Sequence, residues 1–187
     1  MGTFAKLLRA AGINIYMTAI EVWGPYIKEY QLEDIYDQVI CSDVRFVDGR
    51  QFRSPDLIFC GDVLEHMSHS EAEILIDRML NARAVLLASV PLFHCEQGEA
   101  YGNPWERHVE EDYTVEKLRS LHQSCVHVEV DAHIGVGVYA GLNVSRSLIR
   151  DICDRASFAA NRNTNAYPIA EYAPEELITA VAHAYKN

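Results

Sequence analysis

The chain has 187 residues, which is enough for one domain or for one domain with a modest appendage. Its 16 basic and 27 acidic residues give a formal net charge of −11, which disfavours salt-driven binding to nucleic acid or to an anionic membrane. No apolar stretch reaches the ~18 residues of a membrane span, and the amino terminus lacks the layout of a signal peptide. We therefore expect a cytoplasmic protein. Five scattered cysteines without a Cys-x-x-Cys pair argue against a disulfide framework and a thiolate zinc site.

Helix-like and strand-like segments alternate along the chain, which predicts an α/β fold. The first half of the pattern predicts an amphipathic helix over residues 4–11 with Phe4 and Leu7 on its buried face. A strand over 13–20, a short helix after Gly24-Pro25 with Ile27 and Tyr30 inward, and a strand over 38–41 follow.

The next segments predict a sheet with helices around it. Residues 57–60 are apolar throughout, as in a strand buried on both faces. Ser68 and Glu71 form a capping-box pattern for a helix that runs to residue 80. A strand over 84–90 is followed by a long, poorly patterned segment over 92–112, and segments of that kind are usually functional or disordered.

The last segments predict a helix over 114–121, then strands over 126–130 and 135–142 that are close enough to pair antiparallel. We divide the chain into a domain over residues 1–144 and a helical extension over 145–187. The extension contains one helix over about 145–160 and another from Pro174 to Tyr185. It is either an appendage on the sheet or a homo-oligomer contact, and both interpretations stay open.

Acidic side chains follow three of the predicted strands. Glu21 comes after the strand that ends at Ile20, Asp43 follows Cys41, and Asp62 follows Cys60-Gly61. In an open parallel sheet, ligands bind beyond the carboxyl ends of the strands. A carboxylate at that edge can accept hydrogen bonds from ribose hydroxyls or from an exocyclic amine.

The string from Asp56 to His66, DLIFCGDVLEH, resembles the fourth-strand motif of the class I methyltransferases that depend on S-adenosylmethionine (SAM). Residues 19–21, 41–44 and 87–91 are similar to the ends of that family's second, third and fifth strands. The resemblance spans about residues 2–142. It implies a Rossmann-like, mostly parallel sheet with flanking helices and an antiparallel last strand pair.

The resemblance also implies a SAM site. Glu21 would bind the ribose, and Asp43, with Val44 after it, would bind the adenine. The backbone of Cys60, Gly61 and Asp62 would lie beside the methionine moiety.

The family's first strand and most of its Gly-rich turn have no counterpart in this sequence, and Gly2 would be the last glycine of that turn. Three explanations are open: a start codon placed too far downstream, a truncated remnant, or a neighbour that fills the gap. We favour the first.

The segment from Gly98 to His108 is the candidate substrate loop, in which Tyr101 and Trp105 offer stacking surfaces. A plain structural role for Trp105, packing the loop onto the core, is the alternative. His66 and His108 are the candidate catalytic residues, because a neutral imidazole can take a proton from an acceptor hydroxyl. A structural role for His66, bonded to nearby backbone, is the other interpretation.

Asp62, Glu65, His66 and His108 are also loosely similar to the metal-binding set of small-RNA 3′-end 2′-O-methyltransferases, and their donor atoms suit Mg²⁺ or Mn²⁺. The same string occurs in metal-free relatives, and the acidic composition disfavours RNA. We therefore expect no metal.

The sequence thus predicts a SAM-dependent methyltransferase that acts on a small-molecule acceptor. The alternative is an inactive, methyltransferase-derived binding or assembly module. A nicotinamide-dependent dehydrogenase is a weaker hypothesis, because no Gly-x-Gly-x-x-Gly string is present.

Overall fold

The computed structural model describes residues 2–81 and 83–162, so the predicted helix from Pro174 to Tyr185 lies outside the described residues. The described residues form two compact units, 2–52 and 53–162. The predicted division after residue 144 stays a prediction. None of the described helices is both long enough and apolar enough to cross a membrane.

The first unit alternates helices and strands. Its elements are α1 (Thr3–Ala10), β1 (Thr18–Glu21), α2 (Gly24–Glu29) and β2 (Gln38–Cys41). Strands β1 and β2 pair in parallel, with Glu21 opposite Cys41, so both strands end at the same edge. The Gly24-Pro25 pair opens α2 as the sequence predicts, with Pro in the first turn.

Strand β1 is shorter than predicted, and side chains bind part of the backbone before it. Arg9 donates to the carbonyl of Ile15 at 2.9 Å, and the carboxylate of Asp37 accepts from the Met17 amide at 2.7 Å. Residues 13–17 therefore lie outside the ladder that begins at Thr18.

The predicted buried face of α1 is wrong. Phe4 and Leu7 are 52% and 43% exposed, and Ala5 is buried. The helix is rotated so that Gly2, Ala5 and Arg9, which share one face by helical spacing, are directed to the rest of the unit. Gly2 lies close to Leu32 and Ile35, and Arg9 donates to the Ile35 carbonyl.

The inward face of α2 is shifted by one position from the prediction. Tyr26 is buried, whereas Ile27 and Tyr30 are half-buried. The two tyrosine rings, four residues apart on the helix, meet edge to face with 5.3 Å between their centroids.

The second unit contains a four-stranded mixed sheet. Its elements are β3 (Leu57–Gly61), α3 (His69–Met79), β4 (Val85–Pro91), α4 (Val115–Ser120), β5 (Cys125–Asp131), β6 (Ile134–Ala140) and α5 (Arg146–Arg162). The strand order is β3-β4-β6-β5, with β3 parallel to β4 and the other pairs antiparallel. The α/β class and the antiparallel last pair are confirmed. A single Rossmann-like sheet stays a prediction, because the described strands form two sheets.

Strand β3 is not buried on both faces as predicted. Ile58 and Cys60 are buried, but Leu57 and Phe59 are 40% and 41% exposed. The strand lies at the edge of its sheet, and its side chains alternate between two faces. An uninterrupted apolar run therefore does not require burial on both sides.

Helix α3 follows the sequence prediction closely. Ser68 accepts from the Glu71 amide, and the Glu71 carboxylate accepts from the Ser68 amide, which is a complete capping box. Ala72, Leu75 and Ile76 then form the buried stripe of the helix. The carboxyl-terminal helix α5 lies against β5 in the same unit.

Candidate functional site

Two of the predicted cofactor-binding acids lie at the carboxyl edge of the two-stranded sheet. Glu21 is the last residue of β1, and its backbone carbonyl accepts from the Ser42 amide at 3.0 Å. Its side-chain Oε1 accepts from the Trp23 amide at 2.7 Å, which fixes the carboxylate at the start of α2. Glu21 therefore lies at the carboxyl end of β1, and its role as an acceptor for ribose hydroxyls stays a prediction.

Asp43 lies at the same edge, but its carboxylate is already engaged. Oδ1 accepts from the amide and Nε of Arg45, and Oδ2 accepts from Nη2 at 2.7 Å. Val44 begins the 3₁₀ turn that Asp43 caps. An adenine amine would have to compete with a bidentate guanidinium for Asp43, which the sequence alone does not reveal.

The third predicted group lies at the end of β3 in the second unit. Gly61 pairs with Ser89, and Asp62 takes a left-handed backbone with φ 53°. A Cβ on Gly61 would lie 2.6 Å from the ring of Phe59, so the glycine lets the strand end pass close to that ring. Burial raises the pKa of the neighbouring Cys60 thiol to about 12, so this thiol stays protonated.

A 3₁₀ helix, Leu64–His66, follows directly and buries a carboxyl group. Glu65 is 1% exposed, and its Oε2 is the one buried side-chain oxygen or nitrogen of the described residues that has no hydrogen-bond partner. Burial raises the pKa of Glu65 to about 8, and the carboxylates of Asp62 and Glu106 add to the effect. Sequence reasoning treated Glu65 only as part of a weak metal similarity and missed its burial.

The end of the candidate substrate loop and the two residues after it are bound to this 3₁₀ helix. The carbonyl of Glu65 accepts from the amides of Val109 and Glu110, at 2.8 and 3.0 Å. The Nδ1 of His66 lies 3.1 Å from the carbonyl oxygen of Arg107. The loop is therefore ordered around Glu65 and His66.

The two predicted catalytic histidines are brought together. The rings of His66 and His108 meet edge to face, with 5.0 Å between their centroids. His108 is buried, and its Nδ1 lies 2.7 Å from the carbonyl oxygen of Cys95. A carbonyl oxygen can only accept, so each Nδ1 donates its hydrogen there, and in the neutral form of each ring Nε2 has the lone pair.

One carboxylate oxygen of Glu65 and one ring nitrogen from each histidine lie within 4.8 Å of one another. We call these three residues the Glu65–His66–His108 cluster. A neutral imidazole with a free lone pair can accept a proton or bind a cation. These are the two kinds of chemistry that the cluster can perform.

The predicted substrate-loop aromatics lie outside this cluster. Tyr101 is at the tip of a tight turn and is 95% exposed, and Trp105 is 42% exposed. Sequence reasoning missed Asn103, a buried residue whose side chain accepts from the Trp105 amide. An Asn placed just before Pro104 is a typical cap of a short helix, and that signal could have identified it.

Comparisons with known proteins identify the fold. A comparison of the sequence with protein-family models gave no match, and a comparison with curated proteins gave none either. Among solved structures, the O-methyltransferase NcsB1 from neocarzinostatin biosynthesis, in complex with S-adenosyl-L-homocysteine and 1,4-dihydroxy-2-naphthoic acid, is 12% identical with a TM-score of 0.53. The aligned region covers 75% of this chain and 46% of NcsB1.

Two further structures are similar to the same extent. The SAM-dependent methyltransferase SibL, in its apo form, is 13% identical over 74% of this chain and 46% of its own, with a TM-score of 0.51. The PH0226 protein from Pyrococcus horikoshii OT3 is 13% identical over 75% and 77%, with a TM-score of 0.54. The chain folds like a SAM-dependent methyltransferase.

This methyltransferase-like fold agrees with the sequence resemblance of residues 56–66 to the fourth-strand motif of class I methyltransferases. The chain spans less than half the length of NcsB1 and of SibL. The prediction that Glu21, Asp43 and the Gly61-Asp62 turn meet around one adenosyl group stays a prediction, as does the role of Gly2. Gly2 takes a left-handed backbone and caps α1.

Proposed function

We propose that the chain is a SAM-dependent methyltransferase that transfers a methyl group to a hydroxyl of a small molecule. The observation that carries the proposal is the Glu65–His66–His108 cluster in a methyltransferase-like fold: Glu65 and His66 lie shortly after β3, and His108 lies in the loop after β4. The crystallised neighbours NcsB1 and SibL, both methyltransferases, support the activity.

The chain's strand ends offer acceptors and backbone groups that suit SAM. Glu21 presents a carboxylate at the end of β1 for the ribose, and Gly61-Asp62 presents backbone at the end of β3. Asp43 fits less well, because Arg45 occupies both of its oxygens. When bound, SAM supplies an already activated methyl group on its sulfonium, so the protein mainly has to orient the acceptor.

The histidines are suited to remove the acceptor's proton. Each Nδ1 is held by a backbone carbonyl, so an acceptor hydroxyl would donate its hydrogen to an Nε2 lone pair. His108 is the better candidate, because its burial keeps it away from bulk water.

The acceptor is proposed to be small and uncharged or cationic. The segment over residues 98–112 contains six charged side chains besides His108. Arg107 is basic, and the other five are acidic: Glu99, Glu106, Glu110, Glu111 and Asp112. An anionic polymer would be repelled there. NcsB1 was crystallised with a dihydroxynaphthoic acid, so a sensible first panel contains uncharged hydroxylated aromatic compounds, with such acids beside them for comparison.

The first experiment measures SAM binding by isothermal titration calorimetry. We expect wild-type chain to bind SAM and Glu21→Gln to bind at least tenfold more weakly, which is ~1.4 kcal/mol. Glu33→Gln, at an exposed acid of the same unit, is the matched control and should bind like the wild type. Absence of SAM binding by the wild type would contradict the proposal.

The second experiment follows transfer of labelled methyl groups from SAM to the hydroxylated panel. For an accepted compound, His108→Ala should lower kcat by about 10²–10⁴, the usual contribution of a positioned base. His94→Ala, at an exposed histidine paired with Asp112, should leave the rate unchanged. SAM binding without transfer to any compound would favour the binding-module alternative.

A further inference from the structure

We propose that Arg45 determines the affinity of the chain for its cofactor, because its guanidinium competes with the amino group of adenine for the carboxylate of Asp43. The inference rests on the proposed function, since it assumes that an adenosyl group binds beyond the carboxyl end of β2. It goes beyond that function, because Arg45 is not among the residues to which the family resemblance gives a role.

The first argument is the geometry of the ion pair. Oδ1 of Asp43 accepts from the Arg45 amide at 2.9 Å and from Nε at 3.1 Å. Oδ2 accepts from Nε at 3.0 Å and from Nη2 at 2.7 Å. A carboxylate has about four lone-pair sites for hydrogen bonds. The guanidinium therefore lies across both oxygens, to which the amino group of a base would have to donate.

The second argument is burial. The side chains of Asp43 and Arg45 are only 12% and 23% exposed. Solvent screens such a pair less than it screens a surface pair, and a guanidinium that binds a carboxylate through two N–H groups is held strongly. A ligand that needs the carboxylate binds more weakly, in proportion to the fraction of molecules in which the carboxylate is accessible.

The third argument is that the chain forms the same turn a second time. Asp48 accepts from the amide and the guanidinium of Arg50, as Asp43 does from Arg45. This second Asp-x-Arg turn follows another 3₁₀ turn rather than a strand, and its side chains are 44% and 90% exposed. The turn therefore forms from its own residues, and only the first copy lies at the predicted cofactor site.

The fourth argument is a second contact of the guanidinium. Cζ of Arg45 lies 5.8 Å from the centroid of the Phe46 ring, which is 76% exposed. A guanidinium beside an aromatic face is attracted by the ring. This contact involves no oxygen of Asp43, so it can hold Arg45 beside the site after a base has bound the carboxylate.

Removal of the guanidinium should therefore favour the cofactor. In Arg45→Ala the largely buried carboxylate of Asp43 loses its hydrogen bonds to the guanidinium. A buried acceptor that has lost its donors costs free energy until another donor replaces them. The amino group of adenine is such a donor, so an adenosyl ligand should bind this variant more tightly than it binds the wild type.

The test titrates the full chain with S-adenosyl-L-homocysteine in a calorimeter. We expect Arg45→Ala to bind roughly tenfold or more tightly than the wild type. Arg45→Lys, which keeps the charge but not the two-pronged contact, should lie between them. Arg50→Ala removes the guanidinium of the second turn and is the matched control, which should bind like the wild type. Thermal unfolding of each variant shows that it is folded at the temperature of the titration.

A second ligand separates competition from a structural effect of Arg45. In an analogue of S-adenosyl-L-homocysteine whose base lacks the 6-amino group, nothing competes with the guanidinium. The wild type and Arg45→Ala should bind this analogue equally. A gain of affinity that is the same for both ligands would overturn the proposal, because it would indicate a general loosening of the turn.

The remaining outcomes distinguish this inference from the proposed function. If the wild type binds S-adenosyl-L-homocysteine and Arg45→Ala binds it equally or more weakly, the competition is wrong and the methyltransferase proposal stands. If neither protein binds it, the methyltransferase proposal fails and the inference fails with it.

Discussion

Tyr139 of β6 leaves no room for a side chain at Gly137, two residues before it. A Cβ there would lie 2.8 Å from Cε2 of Tyr139 and 2.9 Å from its hydroxyl. Tyr139 is fully buried, and its hydroxyl donates to the Leu118 carbonyl at 2.6 Å, so the ring cannot move aside. The two residues share one face of the strand, as residues two apart do.

We therefore expect Gly137→Ala to lower the free energy of unfolding by about 1–3 kcal/mol through overpacking. Urea denaturation measures the change. Gly98→Ala is the matched control, because a Cβ at Gly98 meets nothing within 4 Å, and its unfolding midpoint should stay equal or rise slightly. A Gly137→Ala protein as stable as the wild type would show that Tyr139 adapts.

Asp37 gives the first unit a pH dependence. The Met17 amide, and then Arg9, lower the pKa of this carboxyl below its ordinary value of 3.8. A lowered native pKa means that the stabilisation is complete above about pH 4 and is lost as the pH falls through the native pKa. The folded state thus favours the ionised form.

Asp37→Asn should therefore be less stable than the wild type at neutral pH, and the difference should shrink as the pH falls below about 4. Unfolding midpoints at several pH values check this. Asp34→Asn, at an exposed acid of the same unit, should show a smaller effect. A difference that grows on acidification would contradict the assigned sign.

At this scale the sequence identifies individual acids and histidines but not their partners. The Asp-Val-Leu-Glu-His string predicts a site at the end of β3 with His66 in it, and the structure places this string at the end of β3 and in the 3₁₀ helix after it. It cannot show that Arg45 holds Asp43 or that Glu65 is buried, because both depend on how a loop folds back. Likewise, the edge-to-face contact of His66 with His108 joins residues 42 positions apart.

At the scale of elements, helix α3 depends on its capping box. The Ser68 side chain binds the Glu71 amide, and the helix then buries Ala72, Leu75 and Ile76. Ser68→Ala should destabilise the protein by about 0.5–2 kcal/mol, whereas Ser68→Asp keeps a capping oxygen and should cost less. Thermal unfolding of the two variants distinguishes them. Equal losses would indicate that the cap oxygen is not what matters.

Helices and strands with a strong local sequence signal can be predicted from the sequence. Which of their faces is buried is harder to predict. The capping box and the β5–β6 pair follow from adjacent residues, so the sequence alone predicts them. The rotation of α1 does not follow from adjacent residues, because Arg9 forms hydrogen bonds with Ile35 and Asp37, which are 26 and 28 positions away in the sequence. The spacing of apolar residues predicts which face of a helix is buried, but long-range polar contacts can cause a different face to be buried.

At the scale of the whole molecule, a net charge of −11 disfavours binding to anionic polymers. Because non-specific binding to nucleic acid depends on phosphate neutralisation, we expect a short single-stranded RNA to bind more weakly than ~100 µM at physiological salt. Fluorescence anisotropy measures this, and lowering the salt should have little effect. Micromolar binding that weakens steeply with salt would indicate a basic surface and would reopen RNA as an acceptor.

The carbonyl of Glu65 holds two consecutive amides, those of Val109 and Glu110. Neither amide can exchange with deuterated solvent until the segment that carries them detaches from Glu65. Their exchange rates therefore report how often this segment separates from Glu65. A small molecule or an ion that slows the exchange of both amides binds the state in which they are bonded to Glu65. Hydrogen exchange can therefore find a ligand before any reaction is known.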